Sequence, residues 1–196
     1  MFANRFTAVI DACVLCSPLK RNLILSLAEA ELFRVRWSDE IMDETEKTIT
    51  AILEKKDYED AAERASEARI IMNQAFAEAT VSDYERVGKE IGKLPDEGDR
   101  HVIAAAIKSK ADIIVTENLK DFPRKVLAIY GIEAKSSDEF IADAINLNTS
   151  LAIDAIKRLR LRLKRPEKTS EVFLLDMEKT GLTQSADQLR DSVKLI

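Results

Sequence analysis

Four acidic residues fall at places where a carboxylate could do chemistry. Asp11 directly follows Ala8-Val9-Ile10, an apolar run that reads as a strand, so its carboxylate is expected at the strand's carboxyl end. A carboxylate there is costly if buried alone and useful if it meets a cation. Glu44 sits in a helical run that also carries Asp39, Glu40, Asp43, Glu46 and Glu54. At about 100° per residue, Glu44 lies beside the stripe of Ile41, Thr45, Thr48 and Ile52, whereas Asp43 and Glu46 lie on the far side. Asp99 opens the helical run Arg100-His101-Val102-Ile103-Ala104-Ala105-Ala106, whose three alanines imply close packing on a sheet. An acid at a helix start also serves as a cap, which is the ordinary reading of Asp99. The loop after Ile113-Ile114-Val115 offers Thr116, Asn118 and Asp121 as oxygen ligands or substrate contacts. Each residue alone reads equally as a turn or cap residue. Together they form an oxygen-only donor set, which suits Mg²⁺ or Mn²⁺ rather than zinc. Such an ion polarises a phosphodiester, lowers the pKa of a bound water and stabilises a leaving oxygen.

Other residues have ordinary readings. Cys13 and Cys16 form a C-x-x-C pair after the first strand. A zinc site would need two more ligands and the single His101 leaves it short. A thiol-redox pair is the chemical alternative, and two small residues in a reduced compartment the plain one. His101 reads as a residue that packs or orients a neighbour. The segment 156–168 carries Lys157, Arg158, Arg160, Arg162, Lys164, Arg165 and Lys168 against Glu167 alone, so it is either a solvated face or an electrostatic guide for RNA.

The elements that must position these residues follow from pattern. Short β-prone runs at 6–10, 32–37, 79–82, 112–115 and 132–135 alternate with helical patterns at 17–28, 38–54, 58–79, 99–110 and 125–130. Ser17-Pro18 reads as an N-cap with Pro at the first helical position, Ser38 as a second N-cap, and Gly131 as a stop. Such alternation predicts an α/β fold, a parallel sheet flanked by helices on both faces, with ligands outside the carboxyl ends of the strands. After Ser136 the alternation gives way to helical patterns at 138–146, 151–163, 170–179 and 186–193. The expected division is a sheet domain over 1–140 and an all-helical C-terminal extension over 141–196, the latter small for an independent fold.

The chain has 196 residues, 46% apolar and 33% charged, with net charge −5. That balance excludes a general nucleic-acid coat protein but not an enzyme whose metal ions bridge its acids to a phosphodiester. No run approaches a membrane span, and Asp11 interrupts the early apolar stretch, so a cytoplasmic location without a membrane association is expected.

The segments VIDACVL, WSDEIMDETEKTI, DRHVIAAAIKSKADIIVT and TENLKDFP, in this order, resemble the motifs of PIN-domain nucleases, and among them the VapC-type toxins of bacterial toxin–antitoxin pairs. The resemblance covers about 6–140 and is most specific in the last two segments. It implies Asp11, Glu44 and Asp99 as an acidic core, with Asp121 and Asn118 as the fourth position. It departs in one place: where the family often carries its last acid, this chain has the neutral Asn118. The resemblance further implies a Mg²⁺- or Mn²⁺-dependent endoribonuclease, with RNA as substrate, homodimers, and a small antitoxin protein as partner. Asp11, Glu44, Asp99 and Asp121 are expected to hold metal and carry catalysis. Thr116, Asn118, Arg160, Arg162 and Arg165 are expected to contact substrate. The alternatives are a PIN scaffold that binds RNA or a protein without cutting, and the C-x-x-C redox protein.

Overall fold

The computed structural model describes residues 6–164 and 166–196. Phe6–Cys16 and Val35–Lys135 form one compact unit; Ser17–Arg34 and Ser136–Ile196 form a second. Thus a segment near the N-terminus, 17–34, shares its unit with the C-terminal helices.

The first unit holds a five-stranded sheet of β1 (Thr7–Ile10), β2 (Arg34–Ser38), β3 (Thr80–Val81), β4 (Ile113–Val115) and β5 (Glu133–Lys135), in the order β3-β2-β1-β4-β5. The β1/β4, β2/β3 and β4/β5 pairs are parallel, in registers that include Ile10↔Val115, Trp37↔Thr80 and Ile114↔Ala134. All four residues of β1 are buried, as a strand inside a parallel sheet requires. The chain winds outward from β1 through β2 to β3, then returns to the other side of β1 as β4. The carboxyl ends of β1 and β4 are therefore the place where strand order reverses, which in open α/β sheets is where ligands bind.

The flanking helices of this unit are α1 (Ala12–Leu15), α3 (Asp39–Glu54), α4 (Ala61–Ala75), α5 (Glu85–Gly88), α6 (Arg100–Lys108) and α7 (Arg124–Leu127), with α2 (Pro18–Glu29) belonging to the other unit. Ser38 caps α3 as expected, its Oγ accepting from the Ile41 N–H at 3.2 Å. The buried face of α3 is Ile41, Met42, Thr45 and Ile49. Thr48 and Ile52, expected on that stripe, are exposed instead, because α3 packs against α1, α4 and α6 and their combined position selects the face. The long helix expected over 58–79 is shorter at both ends. Asp57 adopts φ +59, a left-handed conformation that Asp tolerates, and this separates α3 from α4. Helix α1, one turn directly after Asp11, had no periodic signal in the sequence. Helix α6 packs against β1 and β4 and also against α3 and α5, and Val102, Ile103, Ala104, Ala105 and Ala106 are all buried. Gly131, at φ +70, ends the 3₁₀ turn Ala128–Tyr130 that follows α7, the stop expected there.

The second unit consists of α2, α8 (Ser137–Leu147), α9 (Thr149–Arg162), α10 (Ser170–Lys179) and α11 (Thr183–Arg190). Helix α2 packs on α8 and α9, and α11 on α8 and α10. Ser136 and Glu139 form a reciprocal capping box at the start of α8. Asp138 in turn caps α11, accepting from the backbone N–H groups of Gln184 and Ser185, both at 2.9 Å. Phe33 meets Phe140 edge-on at 4.8 Å between centroids. Among the described residues, no helix is long and apolar enough to cross a membrane.

Ala105 has no exposed surface on a helix that touches both central strands. Ala105→Leu is expected to overpack this face and lower stability by about 1–3 kcal/mol. Urea unfolding followed by circular dichroism measures it, and an unchanged midpoint would contradict the packing described.

Candidate active site

Asp11 follows β1 and is only 4% exposed. Its N–H bonds to the Val115 carbonyl at 3.0 Å, continuing the β1/β4 ladder by one residue. Thr116 follows β4 in the same register, and its hydroxyl donates to Asp11 Oδ2 at 2.6 Å. The Cys13 thiol, on α1, donates to the same Oδ2 at 3.1 Å. Both side-chain donors therefore fall on one carboxylate oxygen. Thr116 Oγ also accepts from the Asn118 N–H at 3.0 Å, and Cys13 Sγ accepts from the Glu117 N–H at 3.3 Å. The loop after β4 is thereby tied to the acid after β1.

This geometry corrects two expectations. Thr116, expected among the substrate contacts, is fully buried, so its hydroxyl serves Asp11 and the loop. The thiol-redox reading loses the support of Cys13. A redox pair needs a thiolate near neutral pH, but burial, followed by the Asp11 carboxylate, pushes the Cys13 thiol up to about 12. Cys13 is instead a neutral donor to Asp11, and its contact with Thr116, across 103 positions, had no sequence signal.

Asp99 ends a 3₁₀ turn over Glu97–Asp99 and immediately precedes α6. Its side chain makes no capping hydrogen bond. The preceding 3₁₀ turn is capped by Asp96, whose Oδ1 accepts from the Gly98 N–H at 2.8 Å, and Glu97 accepts from the Leu94 N–H at 3.2 Å. The Asp99 carboxyl, half-buried and released from capping, is pushed up to about 6 by burial, then by the charges of Asp11, Asp96 and Asp121.

Glu44 is exposed on α3, on the side away from Asp43 and Glu46. Those two acids pair instead with Arg69 of α4, Glu46 at 3.0 Å. Glu44 Oε2 lies 3.5 Å from His101 Nε2. Burial raises the Glu44 pKa; His101 opposes the rise, and Asp11 and Glu40 add to it. His101 is thus a neighbour of the acids, a proximity the sequence left open. A cleft of about 340 Å³ opens beside it, with Glu40, Tyr84 and Gly98 in its wall, within the size range of ligand pockets.

Asp121 is half-buried at the end of a 3₁₀ turn over Leu119–Asp121, and Asn118 is exposed just before it. The basic residues are less free than their sequence implied. Arg160 is half-buried and donates to the Lys168 carbonyl at 2.6 Å. Arg162 is exposed but forks onto Glu29 of α2 at 3.0 and 3.3 Å. Both expected substrate contacts are thus engaged inside their own unit. Arg165, the third, lies outside the described residues.

Asp11, Glu44, Asp99 and Asp121 come from four separate segments of the first unit and act on one another electrostatically. Their donor chemistry, oxygen only and mutually repelling, fits a hard divalent cation. Among the described residues, no three His, Cys, Asp or Glu side chains stand in a ready-made metal cluster. The fit is therefore one of donor type and charge, without a preformed cage.

Comparison with known proteins places the fold. The PIN domain family profile matches residues 7–120, and the chain belongs to that family. Residues 137–191 match a second profile, the VapC50 C-terminal domain. Over 49 residues the chain is 49% identical to a Mycobacterium tuberculosis protein named "Putative ribonuclease VapC50". That match takes in 25% of this chain and 29% of the relative's length. No solved structure matches.

The Asp99 shift has a consequence for stability. Its folded pKa is raised, so the folded state binds the proton more tightly than the unfolded state and loses stability as pH rises from about 4 to about 6. Asp99→Asn is expected to raise the melting temperature at pH 7.5 in EDTA, with the gain fading towards pH 4. Thermal melts of both proteins across that range measure this. A lower melting temperature for the variant at pH 7.5 would contradict the repulsion.

Proposed function

We propose that this chain is a Mg²⁺- or Mn²⁺-dependent endoribonuclease acting as the toxin of a toxin–antitoxin pair. The observation that carries the reading is the set of four acids from four segments, coupled around the carboxyl ends of β1 and β4, with the Asp99 carboxyl pushed up to about 6. Acids that repel one another at a sheet's switch point are well explained by a cation they share. The ribonuclease name of the relative supports the same reading, as do the two family profiles.

Asp11, Glu44, Asp99 and Asp121 are the residues that would hold the metal. The ion would supply a Lewis acid for the phosphodiester and for the water that attacks it. The chain's own residues prepare the site. Thr116 and Cys13 both donate to Asp11 Oδ2 and so orient that carboxylate. Glu44, half-open to solvent, can accept a proton from or orient a water at the edge of the site. Asn118, exposed and neutral, offers a contact to the RNA strand. Lys157, Arg158 and Lys164 are exposed and take over the attraction first assigned to Arg160 and Arg162. A small antitoxin protein and a second copy of the chain are the proposed protein partners.

The deciding experiment is cleavage of total RNA with Mg²⁺ or Mn²⁺, with and without EDTA. Asp11→Asn and Asp99→Asn are expected to abolish cleavage, and Glu44→Gln to lower it at least about 100-fold. Asp43→Asn and Glu46→Gln should stay near wild type, because those acids face Arg69. RNA binding without cleavage would make the chain a PIN scaffold. Charge reversal at Lys157 and Arg158 is expected to weaken RNA binding and flatten its salt dependence, read from affinities at several salt concentrations. Identical slopes would make α9 a solvated face.

A further inference from the structure

His101 is 7% exposed, yet only one of its ring nitrogens is used. Nδ1 lies 2.8 Å from the Gly98 carbonyl oxygen, which can only accept, so Nδ1 carries a proton. Nε2 is buried and has no hydrogen-bond partner, and it stands 3.5 Å from Glu44 Oε2. A residue selected only to fill this space would be apolar, since an unpartnered buried nitrogen is costly. With Nδ1 protonated, a hydrogen bond across this gap needs one further proton, carried by Nε2 or by the Glu44 carboxyl, and the ring then reaches from the residue before Asp99 to α3.

Both ends of this reach are anchored. The Arg100 guanidinium donates to the carbonyls of Gly88 at 3.1 Å, Ile91 at 2.6 Å and Gly92 at 3.2 Å. Asp96 holds the Gly98 N–H, so the turn that presents the Gly98 carbonyl is held on both sides. Across the gap, α3 is fixed by the Ser38 cap and by Arg69 on Asp43 and Glu46. Glu44 itself has a long side chain and is half-exposed, so without a partner its carboxylate would sample many rotamers.

We infer that His101 is a positioning residue that links the Gly98–Asp99 turn to Glu44 and restrains the Glu44 carboxylate on the side of α3 that meets α6. The inference rests on the metal-nuclease reading above and names a residue that reading does not use. His101 touches neither substrate nor metal in this role. It acts through Glu44, as an outer partner that orients a ligand.

The test is a double-mutant cycle on Mn²⁺ affinity, measured by calorimetry on the full chain without RNA. His101→Asn keeps an amide N–H for the Gly98 carbonyl and removes the atom that faces Glu44. It is expected to weaken Mn²⁺ binding about tenfold, in the range for loss of an outer partner. His101→Gln, which restores a polar group near the Nε2 position, should recover part of that loss. In the Glu44→Gln background, His101→Asn should cost nothing further, because the residue it acts through is gone. Melting temperatures identify any unfolded variant, and the cycle is then read with His101→Leu in its place, which also removes the atom that faces Glu44. Additive losses, or unchanged affinity in folded His101→Asn, would overturn the inference alone. No Mn²⁺ uptake by the wild type would overturn the proposed function and this inference with it.

Discussion

The pairing of β1 with β4 governs the site. Two parallel strands in the register Ile10↔Val115 deliver the next residue of each, Asp11 and Thr116, to the same edge. The 2.6 Å hydrogen bond between them closes that edge, and the Cys13 thiol adds a second donor to the same oxygen. The loop carrying Asn118 and Asp121 hangs from this junction through the Asn118 and Glu117 amides. A slip of β4 by one residue would exchange the faces of its side chains and carry Thr116 away from Asp11.

Around this junction the fold keeps carboxylates close without neutralising them. Elsewhere in the same unit acids are matched to bases: Asp39, Asp43 and Glu46 surround Arg69, and Glu97 pairs with Arg100. Among the described residues, none of the four candidate site acids pairs with a Lys or Arg, and the Asp99 carboxyl is displaced accordingly. Groups displaced in this way concentrate at functional sites, because a fold selected for stability alone would remove them. The surrounding clamps carry the compensation. Arg100 ties the turn before Asp99 to three carbonyls, and the alanine face of α6 brings that turn close to the central strands.

The helical unit illustrates how charge in a sequence differs from charge on a surface. The basic run ending α9 is conspicuous in one dimension. In three, Arg160 closes the turn to Lys168, Lys168 pairs with Asp176, and Arg162 forks onto Glu29. The exposed Arg162–Glu29 pair contributes little to stability, but such contacts remove charge from the pool available to a polyanion. Lys157, Arg158 and Lys164 remain exposed.

The sequence by itself determined the order of elements and the chemical character of the site. Strand–helix alternation announced a parallel sheet, because apolar runs of that length must be covered. Ser38 and Pro18 marked helix starts through backbone valence, and Asp11, Glu44 and Asp99 stood out because acids beside apolar runs need a reason. The helical wheel also separated Glu44 from Asp43 and Glu46, since 100° per residue is a local rule. What only the tertiary structure decided were contacts made across long sequence separations. Thr116 reaches Asp11 over 105 positions, so a residue expected to meet substrate became a buried support. His101 meets Glu44 from another helix, and Cys13 owes its donor role, and its displaced thiol, to burial beside Asp11. Arg162 found Glu29 133 positions away. Local pattern encodes which face a residue prefers, but a partner on another element is set by how the elements pack, and that information is spread over the whole core.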